Sequence, residues 1–429
     1  MSLEMMEEYE ANETKEIQCP RALPVDVLLA ADATNAHGAL ATINSLIDTA
    51  ARSKCSLERL RIFFFTTPDD VPLYLALFAA TNSSSFLGLH LHALPPLDIP
   101  KSFVVSDRFA QAERDLTATP NFVRLFIDKV SDVANDELVA HGEPPISRVL
   151  WLDTDVVVLR DVAPVFDSVL LGSRTSGPVI ATSAKSDPHG YRVMFHHHER
   201  LIEMLPPLDV CLDVEKADMA AADDESCPHF NAGVMFLHVD RWRAARVSTF
   251  ASLLLRANAM LAAQSDKLWD HVSNPPLVLL ALVFGVEHMP WSPQLHFRLD
   301  NMSPRQVEKV ARSVVHSLPL VIHYNGDTKP WMLSMACEDW DILRYFKQNF
   351  IGYGCPFAHT GGVPDIAECR TLRELGTRRT VNHKRYARWC RQYKEQRTSF
   401  GLSQRQEKER QQSSDVPRVN KTRALQLQD

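Results

Sequence analysis

The sequence predicts an α/β fold built on a mixed, mostly parallel sheet that is flanked by helices. Two observations support this prediction. Apolar runs of strand length alternate with helical stretches through the first third of the chain, and some of these runs end at acidic residues. Such alternation is typical of doubly wound sheets. The 429 residues, of which 45% are hydrophobic, are enough for one large globular domain.

The predicted elements follow one another at regular spacing. Strands are short runs rich in Val, Leu, Ile and Phe, and helices carry apolar residues three and four positions apart. Strands are predicted at residues 25–31, 61–66, 87–94, 148–152, 179–183, 233–239 and 320–324. Helices are predicted at residues 37–51, 71–80, 121–133, 247–263, 276–284 and 339–350.

Charge and composition divide the chain into three predicted parts: a polar segment (1–22), a globular domain (23–355) and a basic tail (356–429). Residues 365–429 hold 16 Lys or Arg against eight Asp or Glu, although the whole chain has a net charge of −7. The negative net charge of the whole chain gives no support to nucleic acid as a partner. Residues 1–19 contain no apolar run suited to a signal peptide or a membrane anchor, so the chain is expected to be soluble.

Acidic residues follow two of the predicted strands. Asp32 comes after the first strand, and Asp153 and Asp155 come after the fourth. Ligands of such sheets bind at the carboxyl ends of the strands, so one cleft is expected near both positions. Two aspartates one residue apart can bind a hard cation such as Mg²⁺ or Mn²⁺, which also takes phosphate oxygens. A solvated turn with two aspartates is the alternative, because this pattern is common by chance.

Two further segments carry polar side chains beside apolar strands. His323 ends a predicted strand, and Gly326 and Lys329 follow it in a turn suited to a diphosphate. Asn231 begins another strand, where its side chain can hydrogen-bond sugar hydroxyls and where Gly233 permits close approach. Each segment taken alone is equally compatible with an ordinary turn.

Together, these segments resemble glycosyltransferase family 8, the retaining enzymes of the GT-A (Rossmann-like) fold. The resemblance covers roughly residues 25–340, and the last motif and the run at 274–277 are most similar to the galacturonosyltransferase branch. The matching pieces occur in the family's order at residues 25–47, 121–127, 148–162, 228–243 and 321–331.

The resemblance implies that Asp153, Asp155 and His323 bind Mn²⁺ or Mg²⁺ and that the donor is a UDP-sugar. It implies uridine contacts at Ala30 and Asp32, sugar or phosphate contacts at Arg124 and Asn231, and diphosphate contacts at Gly326 and Lys329. A glycan or polysaccharide acceptor and a Golgi location are implied in the same way, with the cytoplasm as the alternative compartment. The donor sugar stays open among galacturonate, glucose, galactose and xylose, and the oligomeric state is not indicated.

One position departs from the family pattern. Many members carry an Asp-Gln pair near the anomeric carbon, and this chain has Pro276 and Leu277 there, so no catalytic nucleophile is predicted. Attack from the face of the leaving group is therefore the favoured mechanism. A catalytically inactive relative that binds a nucleotide-sugar or a glycan is the alternative. A nucleotidyltransferase is disfavoured because residues 30–38 lack a Gly-rich, Lys-bearing loop.

Overall fold

The computed structural model describes residues 23–79, 85–100, 119–172, 180–184, 195–196, 200–201, 203, 230–264, 266–269, 274–284, 286–289, 296–298 and 319–324. The predicted N-terminal segment, the predicted tail and the predicted helix at 339–350 lie outside these ranges. The division of the chain into three parts therefore stays a prediction.

Within the described ranges, the strands form a large sheet and a small one. The strands of the large sheet are β1 Val25–Ala30, β2 Leu60–Thr66, β3 Leu89–Ala93, β4 Arg148–Leu152, β6 Ile180–Ala184, β7 Phe230–His238 and β8 Val286–Met289. Their order is β3-β2-β1-β4-β7-β6-β8. The pairs β3-β2, β2-β1, β1-β4 and β6-β8 are parallel, whereas β7 runs antiparallel to β4 and to β6. A mixed, mostly parallel sheet is thus confirmed.

Helices cover both faces of the large sheet. They are α1 Ala36–Ala51, α2 Lys54–Arg59, α3 Val71–Ala79, α4 Thr119–Phe122, α5 Ile127–Ala140, α6 Ala163–Gly172, α7 Val239–Ala244, α8 Val247–Ala263 and α9 Asn274–Phe284. Alternate residues of β1 enter different cores. Leu28 packs with side chains of α5, α7, α8 and α9, whereas Val27 and Leu29 pack with those of α1, α3 and α6. This alternation is what a strand buried on both faces produces.

The helix predicted at residues 121–133 is interrupted. α4 ends at Phe122, a 3₁₀ turn spans Val123–Leu125, and α5 begins at Ile127. The Arg124 Nε donates to the Asn121 carbonyl (3.0 Å), and the Ser248 hydroxyl of α8 donates to the Leu125 carbonyl (3.0 Å). These bonds satisfy backbone carbonyls at the break, which periodicity alone does not indicate.

The small sheet consists of β5 Val156–Val158, β10 Val321–His323 and β9 His296–Arg298. Its strand β5 follows the carboxyl end of β4 in the chain. β10 is antiparallel to β5 and parallel to β9. Two hydroxyls of α1 bind β5: the Thr42 Oγ1 donates to the Val156 carbonyl (2.7 Å), and the Ser45 Oγ accepts from the Val158 amide (3.0 Å). The small sheet is therefore attached to a helix that packs on the large sheet.

Among the helices that the structure describes, none combines the length and the apolar character needed to cross a lipid bilayer.

Candidate metal centre

Strand pairing in the small sheet brings His323 to the aspartates. Asp153 follows β4, Asp155 precedes β5, and His323 ends β10, where it pairs with Val156. The Tyr324 amide donates to the Asp155 carbonyl at 2.9 Å, which continues this pairing by one further bond. As a result, one ligand atom from each of Asp153, Asp155 and His323 lies within 4.8 Å of the other two.

Two of the three side chains are buried. His323 is 1% exposed and Asp155 is 8% exposed. The His323 Nε2 lies 3.0 Å from the Asp155 Oδ1, yet the contact lacks the geometry of a hydrogen bond. A carboxylate oxygen and an imidazole nitrogen that face one another in this way can both be satisfied by a shared cation. The residues present therefore fit a divalent metal.

Asp153 is held by its neighbours through one carboxylate oxygen. The Trp151 Nε1 donates to Asp153 Oδ1 at 2.9 Å, and the Arg124 Nη1 lies 3.7 Å from the same oxygen. Oδ2 takes part in neither contact. The Asp153 amide donates to the Gly233 carbonyl at 2.8 Å, which extends the pairing of β4 with β7 to the Asp-x-Asp turn. Arg124 is thus beside the candidate metal ligands, and its contact with the donor sugar or phosphates stays a prediction.

Gly233 is required by the position of the His323 ring. A Cβ atom at this position would lie 2.2 Å from the His323 Cε1 and under 3.0 Å from both ring nitrogens. The sequence predicts that Gly233 permits a sugar to approach closely, and the structure places the His323 ring against this glycine. Asn231 is buried, and its Oδ1 accepts from the Gly233 amide at 2.8 Å. A sugar contact of Asn231 stays a prediction.

The predicted uridine residues lie at the same edge of the large sheet. Ala30 ends β1, which is parallel to β4, so Asp32 and Asp153 both follow carboxyl ends of adjacent strands. The Asp32 Oδ1 accepts from the Asn35 Nδ2 (3.2 Å), and the Asp32 carbonyl accepts from the Tyr74 hydroxyl (2.8 Å). Burial raises the pKa of Tyr74 well above its usual value, which keeps this hydroxyl protonated as the donor.

A second loop supports the Asp32 turn. The Asp70 Oδ2 accepts from the Ala33 amide (3.0 Å) and from the Thr67 hydroxyl (2.7 Å). The loops that follow β1 and β2 are therefore joined by a carboxylate. This arrangement gives the Asp32 turn a defined shape before any ligand binds.

The sequence did not indicate two residues of this site. His296 begins β9, and its Nε2 lies 3.1 Å from the His323 Nδ1, with the two ring planes within 14° of each other. β9 has three residues, too few for a periodic pattern to reveal it. Trp151 belongs to a strand that the sequence predicts, but its bond to Asp153 depends on its rotamer. Gly326 and Lys329 lie outside the described residues, so their roles stay predictions.

These observations define an α/β protein with a candidate divalent-metal centre beside the carboxyl edge of its main sheet. Residues 140–334 match the profile of glycosyl transferase family 8, and this range contains Asp153, Asp155 and His323. This part of the chain is therefore similar to glycosyl transferase family 8.

Relatives in curated collections are distant. The chain is 25% identical over 206 residues to glycosyltransferase 8 domain-containing protein 1 of Danio rerio, which is 46% of this chain and 51% of the relative. It is 24% identical over 211 residues to probable galacturonosyltransferase-like 7 of Arabidopsis thaliana, which is 49% of this chain and 50% of the relative. The chain spans about half the length of the curated relatives it matches.

Among solved structures, the fold is similar to a galactosyltransferase crystallised with donor and acceptor sugar analogues. The TM-score is 0.47 and the identity is 17%, over 81% of this chain and 100% of the other. At this level, the similarity carries no argument about the chemistry of the site.

Proposed function

We propose that this protein is a metal-dependent glycosyltransferase that moves a sugar from a UDP-sugar donor to a hydroxyl of a glycan or polysaccharide acceptor. One observation carries the proposal: β10 places His323 against the Asp-x-Asp turn, so that three ligand atoms lie within 4.8 Å of one another. The match of residues 140–334 to glycosyl transferase family 8 supports the same conclusion.

Mn²⁺ suits this ligand set better than Mg²⁺ does. Two carboxylates and one imidazole combine oxygen and nitrogen ligands, whereas Mg²⁺ is usually bound by oxygen alone. When bound, the cation would neutralise negative charge that develops on the departing diphosphate. Asp153, Asp155 and His323 are the side chains that would hold it.

The remaining roles concern the donor. Ala30 and Asp32 are proposed to contact the uridine, because they lie at the carboxyl end of the strand next to β4. Arg124 is proposed to attract the donor phosphates or sugar, since its guanidinium is 3.7 Å from Asp153 Oδ1. Asn231, Gly326 and Lys329 are proposed as further contacts to the sugar and the diphosphate on the basis of the family pattern.

The start of α9 supports attack from the leaving-group face. Pro276 and Leu277 replace the family's Asp-Gln pair, and neither can act as a nucleophile because both side chains are hydrocarbon. In this mechanism, the acceptor oxygen bonds to the anomeric carbon as the bond to the diphosphate breaks. The acceptor proton passes to the departing phosphate oxygen. The anomeric configuration is thereby retained without a covalent intermediate.

A luminal location, as in the Golgi, is proposed together with this function. Cys55 takes part in a disulfide bond, and such bonds persist mainly in oxidising compartments. A cytoplasmic protein would be expected to keep this thiol reduced. Mass spectrometry of the protein after alkylation without reductant tests the point, since an alkylated Cys55 would contradict it.

The function is tested by measuring UDP release from UDP-galacturonate, UDP-glucose, UDP-galactose and UDP-xylose, with Mn²⁺ or with EDTA. We expect Mn²⁺-dependent hydrolysis of one donor. Asp155→Ala should lower the rate by about 100-fold or more, because a metal ligand is lost. Asp136→Ala is the matched control, since Asp136 is an exposed carboxylate of α5 and should leave the rate unchanged.

Two other outcomes separate the alternatives. If no donor is turned over but UDP binds in a Mn²⁺-dependent manner by calorimetry, the inactive, ligand-binding relative is favoured over the enzyme. The absence of UDP binding in the same samples would overturn the assignment of this site to a nucleotide-sugar.

A further inference from the structure

His296 contacts the candidate ligand His323 from the neighbouring strand. β9 and β10 are parallel, with His296 paired to Val321 and Arg298 paired to His323. His296 therefore lies diagonally across from His323, and the two ring centroids are 5.3 Å apart with an angle of 14° between the ring planes. His296 is 2% exposed. The pair thus forms a buried unit whose polar contact joins His296 Nε2 to His323 Nδ1 at 3.1 Å.

A contact between two imidazole nitrogens holds one hydrogen when both rings are neutral, so one nitrogen donates and the other accepts. A neutral His323 that ligates a cation through Nε2 must carry its hydrogen on Nδ1. That hydrogen points to His296 Nε2, which must then be the acceptor. With the opposite arrangement, the His323 hydrogen lies on Nε2 and blocks ligation.

The geometry around His323 Nε2 favours the ligating form. A hydrogen on Nε2 should point at an acceptor, yet the 3.0 Å contact with Asp155 Oδ1 lacks hydrogen-bond geometry. The ring also has little freedom to turn, because the backbone of Gly233 lies against its Cε1 edge and the His296 ring lies against its Nδ1 edge. Metal-ligating histidines are commonly oriented by an acceptor on their second nitrogen.

We propose that His296 is a positioning residue of the metal centre. Its Nε2 accepts the Nδ1 hydrogen of His323, and this bond holds His323 in the tautomer and orientation that bind a divalent cation. The inference rests on the proposed function, because it requires that His323 is a metal ligand.

The test measures Mn²⁺ binding to the full chain by electron paramagnetic resonance, separately from any turnover. His296→Phe keeps an aromatic ring at this position but removes the acceptor, so the affinity for Mn²⁺ should fall by about 10- to 100-fold. His296→Gln is the matched variant, because its amide oxygen can accept a hydrogen bond at a similar reach. It should retain the wild-type affinity to within about threefold, a smaller loss than a missing acceptor causes.

Asp155→Ala separates this inference from the proposed function. If the wild type and Asp155→Ala both fail to bind Mn²⁺, the metal centre itself is wrong. If the wild type binds, Asp155→Ala does not, and His296→Phe binds as tightly as the wild type, the role of His296 is overturned while the metal centre stands. Equal losses in His296→Phe and His296→Gln would also overturn it, since the acceptor would not be what matters.

Circular dichroism and thermal unfolding show whether each variant is folded. Should His296→Phe fail to fold, His296→Leu takes its place as the variant without an acceptor. The comparison with His296→Gln keeps the same expected outcomes.

Discussion

At the scale of single residues, the metal centre depends on how closely the main chain approaches His323. The His323 ring lies between Gly233 of β7 and His296 of β9 and contacts Asp155. His323 is 1% exposed. Such a site leaves little room for adjustment, because packed interiors tolerate few changes in volume. The residue opposite the ring therefore matters as much as the ligands.

Gly233→Ala should abolish or strongly weaken Mn²⁺ binding. The new Cβ would lie 2.2 Å from His323 Cε1, so the ring must leave its present position. We expect the affinity for Mn²⁺ to fall at least tenfold, an effect of about the size seen when the support of a metal ligand is removed. Titration of the folded variant with Mn²⁺ checks this expectation.

Gly142→Ala is the control for a glycine substitution that strains the chain away from the site. Gly142 has a positive φ of 73° and nothing within 4 Å of its added Cβ. It precedes β4, whereas the metal centre follows that strand. The control should lose about 1 kcal/mol of stability and keep Mn²⁺ binding. If both variants bind Mn²⁺ like the wild type, the inference that Gly233 packs tightly against the His323 ring is wrong.

At the scale of elements, α1 holds β5 through two hydroxyls. Ser45→Ala removes the acceptor of the Val158 amide inside a buried contact, so the free energy of unfolding should fall by about 1–3 kcal/mol. Chemical denaturation of the variant and the wild type measures the loss. Ser168→Ala on α6 is the matched control, because Ser168 is exposed and should change stability by less than about 0.5 kcal/mol.

We expect a loss of stability in acid from His238, the last residue of β7. Burial, together with the charges of Arg241 and Arg148, lowers the pKa of His238 from 6.5 to about 4. Between pH 6.5 and pH 4, His238 is therefore protonated more readily in the unfolded chain than in the folded chain. Stability tied to His238 is fully present above pH 6.5 and declines as the pH falls toward 4.

His238→Gln should remove part of this acid sensitivity. Because His238 is only half-buried, solvent screening reduces the effect. Between pH 7.5 and pH 5, we expect the free energy of unfolding to fall by about 1–2 kcal/mol less in the variant than in the wild type. Denaturation curves at both pH values give the two differences. Equal losses in the two proteins would show that His238 is readily protonated in the folded chain.

At the scale of the whole molecule, the candidate ligands join distant parts of the chain. Asp153 and Asp155 follow a strand of the large sheet, and His323 belongs to the small one. A cation bound by all three would be held only by the folded chain. Mn²⁺ at 100 times its Kd should therefore stabilise the protein by about 2.7 kcal/mol.

Thermal unfolding with and without Mn²⁺ tests this coupling. The wild type should unfold at a temperature a few degrees higher with Mn²⁺, and Asp155→Ala should show no such shift. The same shift in both proteins would place the bound Mn²⁺ elsewhere in the molecule.

Local patterns in the sequence predict the fold class, which the structure confirms, and they indicate Asp153 and Asp155 as candidate ligands. Buried strands such as Arg148–Leu152 stand out because a strand covered on both faces is an unbroken apolar run. The predicted bounds of α8 agree with the observed ones because its apolar residues repeat with helical spacing. Asp153 and Asp155 were recognised because charged residues directly after such a run are costly without a partner.

The contacts between these residues follow from long-range packing that local patterns do not report. The sequence did not show β9, since three residues are too few for a pattern, and it gave no sign of the interruption at Val123–Leu125, which is stabilised partly by a bond from Ser248 in α8. The contact of His296 with His323 and the need for glycine at position 233 depend on pairing between strands that lie far apart in the chain. Local patterns report which face of an element is buried, whereas the neighbour on that face is set by long-range packing.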